Sequence, residues 1–77
     1  MKLTDEQRKR VEGSAWIVNT VLKEQGLSRD MDLKQEAELW LCKCAQRFDP
    51  ARGVKWSTYA YRSVYLRIKR LHDIRRI

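Results

Sequence analysis

Seventy-seven residues with 43% hydrophobic side chains and a mean hydropathy of −0.68 make one small amphipathic domain, too apolar for plain disorder. No apolar run approaches the ~18 residues a membrane span requires, and no charged-then-apolar leader opens the chain, so we expect a soluble cytoplasmic protein with no membrane partner. The formal charge of +7 is unevenly placed: residues 1 to 50 balance nine basic against nine acidic side chains, whereas residues 51 to 77 set eight basic ones against Asp73 alone.

The first periodic segment starts at Thr4 or Asp5, either of which can cap a helix, and runs to about Gln25, where Gly26 is placed to stop it. Val11, Ala15, Val18 and Val21 or Leu22 recur at three- and four-residue steps, and Trp16 and Ile17 widen the stripe, so this face is expected to pack. Gly13 marks either a close helix approach or a break, and the pattern admits one helix or two.

Leu27 to Asp30 is a polar connection, and Asp30 or Asp32 can cap a second helix reaching about Arg47. Its apolar stripe is Leu33, Ala37, Trp40, Leu41, Cys44 and Phe48. The other face carries Lys34, Gln35, Glu38, Cys42 and Arg47, with Glu36 at its flank; an acidic helix start of this kind balances the helix dipole. Cys42 and Cys44 lie about 200° apart on a helix and are expected to be free thiols in a reducing compartment. His72, alone of its type and set among arginines, is expected to be solvated or to touch phosphate.

Arg47 to Arg62 joins two helical patterns. Asp49-Pro50 favours a turn, because Asp accepts backbone hydrogen bonds and Pro fixes φ, and Gly53 can supply a backbone angle other residues resist. Ser57 is a good N-cap for the last helix, and Trp56 lies at staple spacing to Tyr61. That helix is expected to run from Ser57 to about Ile74, burying Ala60, Val64, Ile68, Leu71 and Ile74 and turning Arg62, Tyr65, Lys69 and Arg76 outward. A basic stripe is usually a solvated face, but this one belongs to the segment that holds the whole charge excess against Asp73 alone, the footprint of a polyanion-binding protein.

The sequence Phe48-Asp49-Pro50-Ala51-Arg52-Gly53-Val54-Lys55-Trp56-Ser57-Thr58-Tyr59-Ala60, with Asp32-Leu33-Lys34-Gln35-Glu36 upstream, resembles the second conserved region of bacterial sigma factors. The resemblance spans about Trp16 to Arg70 and rests on two spaced blocks in the right order. It implies an all-α domain of three to four helices covering residues 1 to 77. It also implies that the second helix docks on a coiled coil of the largest RNA polymerase subunit through Asp32, Gln35, Glu36 and Glu38, with Cys42 at the edge. Glu38 replaces the family's common Asn, and Trp40 stands where a small residue is usual.

The resemblance further implies binding to the non-template strand of the minus-ten promoter element. Trp56 and Tyr59 match aromatic positions of the melting surface, Arg52 and Lys55 hold phosphates, and Lys69 falls near the position that reads the upstream duplex edge. Together with Ser57, Thr58, Arg62, Tyr65, Arg70 and Arg76 they form the expected DNA-binding set. Where housekeeping sigma factors carry two consecutive tryptophans, this chain has Arg62 and Ser63, as specialised sigma factors do. Nothing resembles the later region that reads the minus-thirty-five element, so the chain is either a domain of a longer sigma factor or a small stand-alone, phage-type sigma-like protein.

No carboxylate pair, nucleophile with base, metal cluster or phosphate-binding glycine loop is legible, so we expect no catalysis and no cofactor. Basic residues beside Trp56, Tyr59, Tyr61 and Tyr65 suit opened DNA, where rings stack on bases for about 1 to 3 kcal/mol each. Two other functions fit. A sigma-like regulator would occupy the polymerase clamp, open to an anti-sigma factor, without opening the promoter. A helix-turn-helix protein would place the last helix in the major groove, although Ser57, Thr58 and Tyr59 are not the Asn, Gln or Arg that usually read bases there.

Overall fold

In the computed structural model, which describes residues 2–75, the chain forms α1 (Asp5–Gly13), α2 (Ala15–Glu24), α3 (Met31–Arg47) and α4 (Trp56–Arg75). A one-turn 3-10 helix, Pro50–Arg52, lies between α3 and α4, and no strand occurs among the described residues. The architecture is therefore the expected all-α domain.

Thr4 caps α1 with a complete capping box: its hydroxyl accepts from the Gln7 amide, and the Gln7 side chain accepts from the Thr4 amide. The first periodic segment is two helices. Gly13 ends α1, and a Cβ there would meet nothing within 4 Å, so the glycine marks a break and not a close helix approach. The break turns at Ser14, a buried polar residue, whose hydroxyl accepts from the Trp56 indole at 2.6 Å. Gly26, at φ 71°, ends α2, and the Leu27 amide donates to the Leu22 carbonyl at 2.7 Å, closing the last turn as a left-handed cap does.

Asp30 is the cap of α3 and accepts from the Leu33 amide at 3.0 Å. Asp49 starts the 3-10 turn by accepting from the Ala51 amide at 3.0 Å, and Gly53, at φ 77°, reverses the chain into α4. The last helix begins one residue earlier than expected. The Tyr59 amide donates to the Lys55 carbonyl at 3.0 Å, which places Ser57 inside the first turn and not at the N-cap.

Ile17, Val18, Val21 and Leu22 of α2, Leu33, Ala37 and Leu41 of α3, and Ala60, Val64 and Ile68 of α4 form the buried core. Three expected core positions fall outside it. Trp16, about 170° around α2 from the centre of its buried arc, is 51% exposed, and Ala15 is exposed beside it. Ile74, on the final turn of α4, is 60% exposed. Trp40, Phe48 and Leu71 are half-buried at the margin. The expected staple between Trp56 and Tyr61 is replaced by other pairs, because both residues now lie on α4, about 140° apart. Trp56 packs on Phe48 and Tyr59, while Tyr61 stacks on Tyr65.

Candidate nucleic-acid and protein interfaces

On α3 the buried arc of Leu33, Ala37 and Leu41 turns Asp32 and Gln35 to solvent, with Glu36 half-buried beside them. Glu38 and Cys42 lie farther round the helix, in a shallow groove against Val11, Glu12 and Ala15 of the first two helices. The expected docking set thus divides: Asp32, Gln35 and Glu36 share an open face, and Glu38 and Cys42 sit at its edge. Two apolar residues absent from that set join the open face. Met31 and Leu39 are 63% and 54% exposed and flank Gln35 one helical turn to either side. Their offset from the core stripe was visible in the sequence as an i, i+8 apolar pair of the wrong register.

The turn and the start of α4 enclose a cleft of about 520 Å³, lined by Arg47, Phe48, Asp49, Arg52, Val54 and Tyr59. Its aromatic wall is built from below. Phe48 lies 5.4 Å from Trp56 edge-on and 5.7 Å from Tyr59, and the guanidinium of Arg10 covers the Phe48 ring at 5.1 Å. Trp56 is half-buried with its N–H bonded to Ser14, so it fixes this wall to the break between α1 and α2. Arg52 is exposed on the rim, and Lys55 is exposed at the start of α4. Arg47 and Phe48, outside the expected DNA-binding set, belong to this cleft.

Ser57, Thr58, Arg62 and Tyr65 lie elsewhere, in a groove of about 670 Å³ between α2 and α4 that they share with Trp16 and Leu66. Tyr61 donates its hydroxyl to Glu24 across this groove, which pushes the phenol up to about 12, and the Gln25 amide donates to the Tyr65 carbonyl at 3.2 Å. Ser63, the neighbour of exposed Arg62, points the other way and hydrogen-bonds Cys44. Burial outweighs that bond and the nearby Arg47 charge, so the Cys44 thiol is held above its ordinary pKa. Lys69 and Arg70 are exposed farther along α4, and His72 is half-buried. Arg76 lies outside the described residues.

Among the described residues, no group of three or more His, Cys, Asp and Glu side chains is placed to hold a metal ion, and no helix is long and apolar enough to cross a membrane. No protein-family model matches the chain, and no solved structure matches it.

Proposed function

We propose that this chain is a sigma region-two-type domain of transcription initiation, acting in the cytoplasm by binding and not by catalysis. The open face of α3 docks on the coiled coil of the largest RNA polymerase subunit, and the turn with α4 binds the non-template strand of the minus-ten element. The observation that carries this reading is the cleft, whose lining brings Tyr59 together with Arg47 and Arg52. Its volume of about 520 Å³ falls in the usual ~300–1,000 Å³ range of small-ligand sites. A base drawn out of a duplex can stack on Tyr59 while the two guanidiniums hold the flanking phosphates. On α3, Met31 and Leu39 supply apolar anchors around Gln35, with Asp32 and Glu36 as a polar rim, the composition of a protein-docking helix.

A second reading is favoured by Arg62 and Ser63. One is exposed and the other turns to Cys44, so neither offers an aromatic wedge against the duplex. On that reading the chain occupies the polymerase clamp without opening promoters. The deciding experiment is capture of sigma-free polymerase core by the purified chain, repeated with Gln35→Ala combined with Glu36→Lys. We expect binding that the double variant abolishes while its helix content is kept; unchanged capture would remove the α3 dock from both readings. Permanganate footprinting of a promoter in the captured complex then separates an opener from an occupant.

A further inference from the structure

Trp40 is ringed by cations. The Arg67 guanidinium, from α4, lies 4.7 Å from the centroid of its ring, and Lys43 and Arg47, from α3, lie 5.6 and 5.7 Å away. An indole face attracts a cation, but three charges gathered at one side chain repel one another. Among the described residues, none of the three makes an ion pair, whereas Arg10 pairs with Glu6 in α1. The same spot holds two buried donors without a hydrogen-bond partner, Trp40 Nε1 and Arg67 Nε. A sealed donor is the unfavourable extreme of hydrogen bonding, because it has left water and gained nothing.

One anion relieves all of these conditions. It neutralises the repulsion, draws Arg67 off the ring, and gives the freed Arg67 Nε and Trp40 Nε1 an acceptor. We propose that the seam between α3 and α4 at Trp40 is a binding seat for a phosphate of a nucleic-acid backbone, with Arg67 as its mobile cover. Arg47 identifies the polyanion, because it lines the Tyr59 cleft as well as facing Trp40. A strand with one base in the cleft therefore carries neighbouring phosphates toward the seam. The nucleic-acid identity of the ligand rests on the function proposed above, whereas the anion seat stands on the cation ring and the two donors.

The test is titration of the ¹⁵N-labelled full chain with a short single-stranded DNA, following the Trp40 indole N–H, assigned through Trp40→Phe. We expect that resonance to move downfield as DNA binds. Arg67→Met, which keeps an apolar stem over the ring, and Lys43→Gln, at an exposed position, should each make the plot of log affinity against log salt shallower by about 0.7, the slope of one single-strand phosphate contact. Arg67→Lys should retain the slope. An unmoved Trp40 resonance with unchanged slopes in both variants overturns the seat, and an equal shift from poly-glutamate overturns its assignment to nucleic acid. Tyr59→Ala, run in parallel, keeps the two readings apart. Binding weakened by Tyr59→Ala but not by Arg67→Met leaves the cleft and removes the seat, the converse leaves the seat and removes the cleft, and absence of DNA binding removes both.

Discussion

The two flanks of α4 use the same kinds of side chain to opposite ends. Toward α2 the polar groups are engaged in holding helices together: Tyr61 to Glu24, Gln25 to the Tyr65 carbonyl, and, at the break before α2, Trp56 to Ser14. Toward α3, apart from the Ser63 bond to Cys44, they are uncommitted. Lys43, Arg47 and Arg67 share one indole without a carboxylate among them, Tyr59 borders an open cleft, and two donors are sealed without acceptors. A polar side chain that cross-links helices is satisfied before any ligand arrives, while one left unsatisfied gains most when a ligand supplies its partner. On the function proposed above, the α2 flank serves as the scaffold and the α3 flank as the working surface.

The largest effect should come where the flanks share a support. Ile68 is fully buried on the α4 stripe that packs against both α2 and α3. Ile68→Ala should destabilise the fold by about 2–5 kcal/mol, most of the stability of a domain this small. Urea unfolding followed by ¹⁹F-labelled tryptophans reads Trp56 near the α2 side and Trp40 on the α3 side separately. We expect coincident transitions. A Trp40 signal that survives the loss of the Trp56 signal would show two independently stable regions and break the comparison.

A pair of ring substitutions sharpens it. Trp56→Phe keeps an aromatic against Phe48 but removes the donor to Ser14, leaving a buried hydroxyl without its partner at a cost of about 1–3 kcal/mol of stability. Tyr59→Ala removes a ring from the cleft wall and should weaken binding to single-stranded minus-ten DNA by about 1–3 kcal/mol, with less loss on duplex. The two adjacent aromatics are therefore expected to fail in different assays, thermal unfolding for Trp56 and strand binding for Tyr59. Equal loss of duplex and single-strand affinity in Tyr59→Ala would point instead to a duplex-reading helix.

How much of this was legible beforehand follows from the range of each interaction. Caps and turns are local, so Thr4, Asp30, Asp49-Pro50 and Gly53 could be recognised from their neighbours alone. The stripe of Ala60, Val64 and Ile68 was equally readable, because helical period decides it. Trp16 was misjudged against the helical period itself: on α2 it stands about 160° from Val18 and about 120° from Leu22, off the stripe those residues make. The start of α4 at Trp56 was hidden for another reason: the indole finds its acceptor 42 residues away, and no local rule reports that. Of the cleft's lining the expected DNA-binding set named Arg52 and Tyr59, and the division of that set between two flanks depends on which neighbour α4 packs beside. The cation ring at Trp40 needed Arg67 brought across from another helix.

The smallest expected effect tests whether the α2 flank is a scaffold at all. Tyr61 donates to the Glu24 carboxylate, and deprotonation would set two negative groups against each other, so the fold holds the phenol near 12 against an ordinary 10.0. A folded-state pKa above the unfolded value means that the contribution is whole below about pH 10 and is lost as pH rises toward about 12. Other tyrosines and the lysines titrate in the same window, so the informative quantity is the difference between wild type and Tyr61→Phe in urea midpoint. That difference should be constant at neutral pH, shrink above pH 10 and vanish near pH 12. A difference that stays flat across the window would mean that Tyr61 serves only as a stacking partner for Tyr65. The polar links from the α2 side to α4 would then be those of Gln25 and Trp56, beside the shared apolar core.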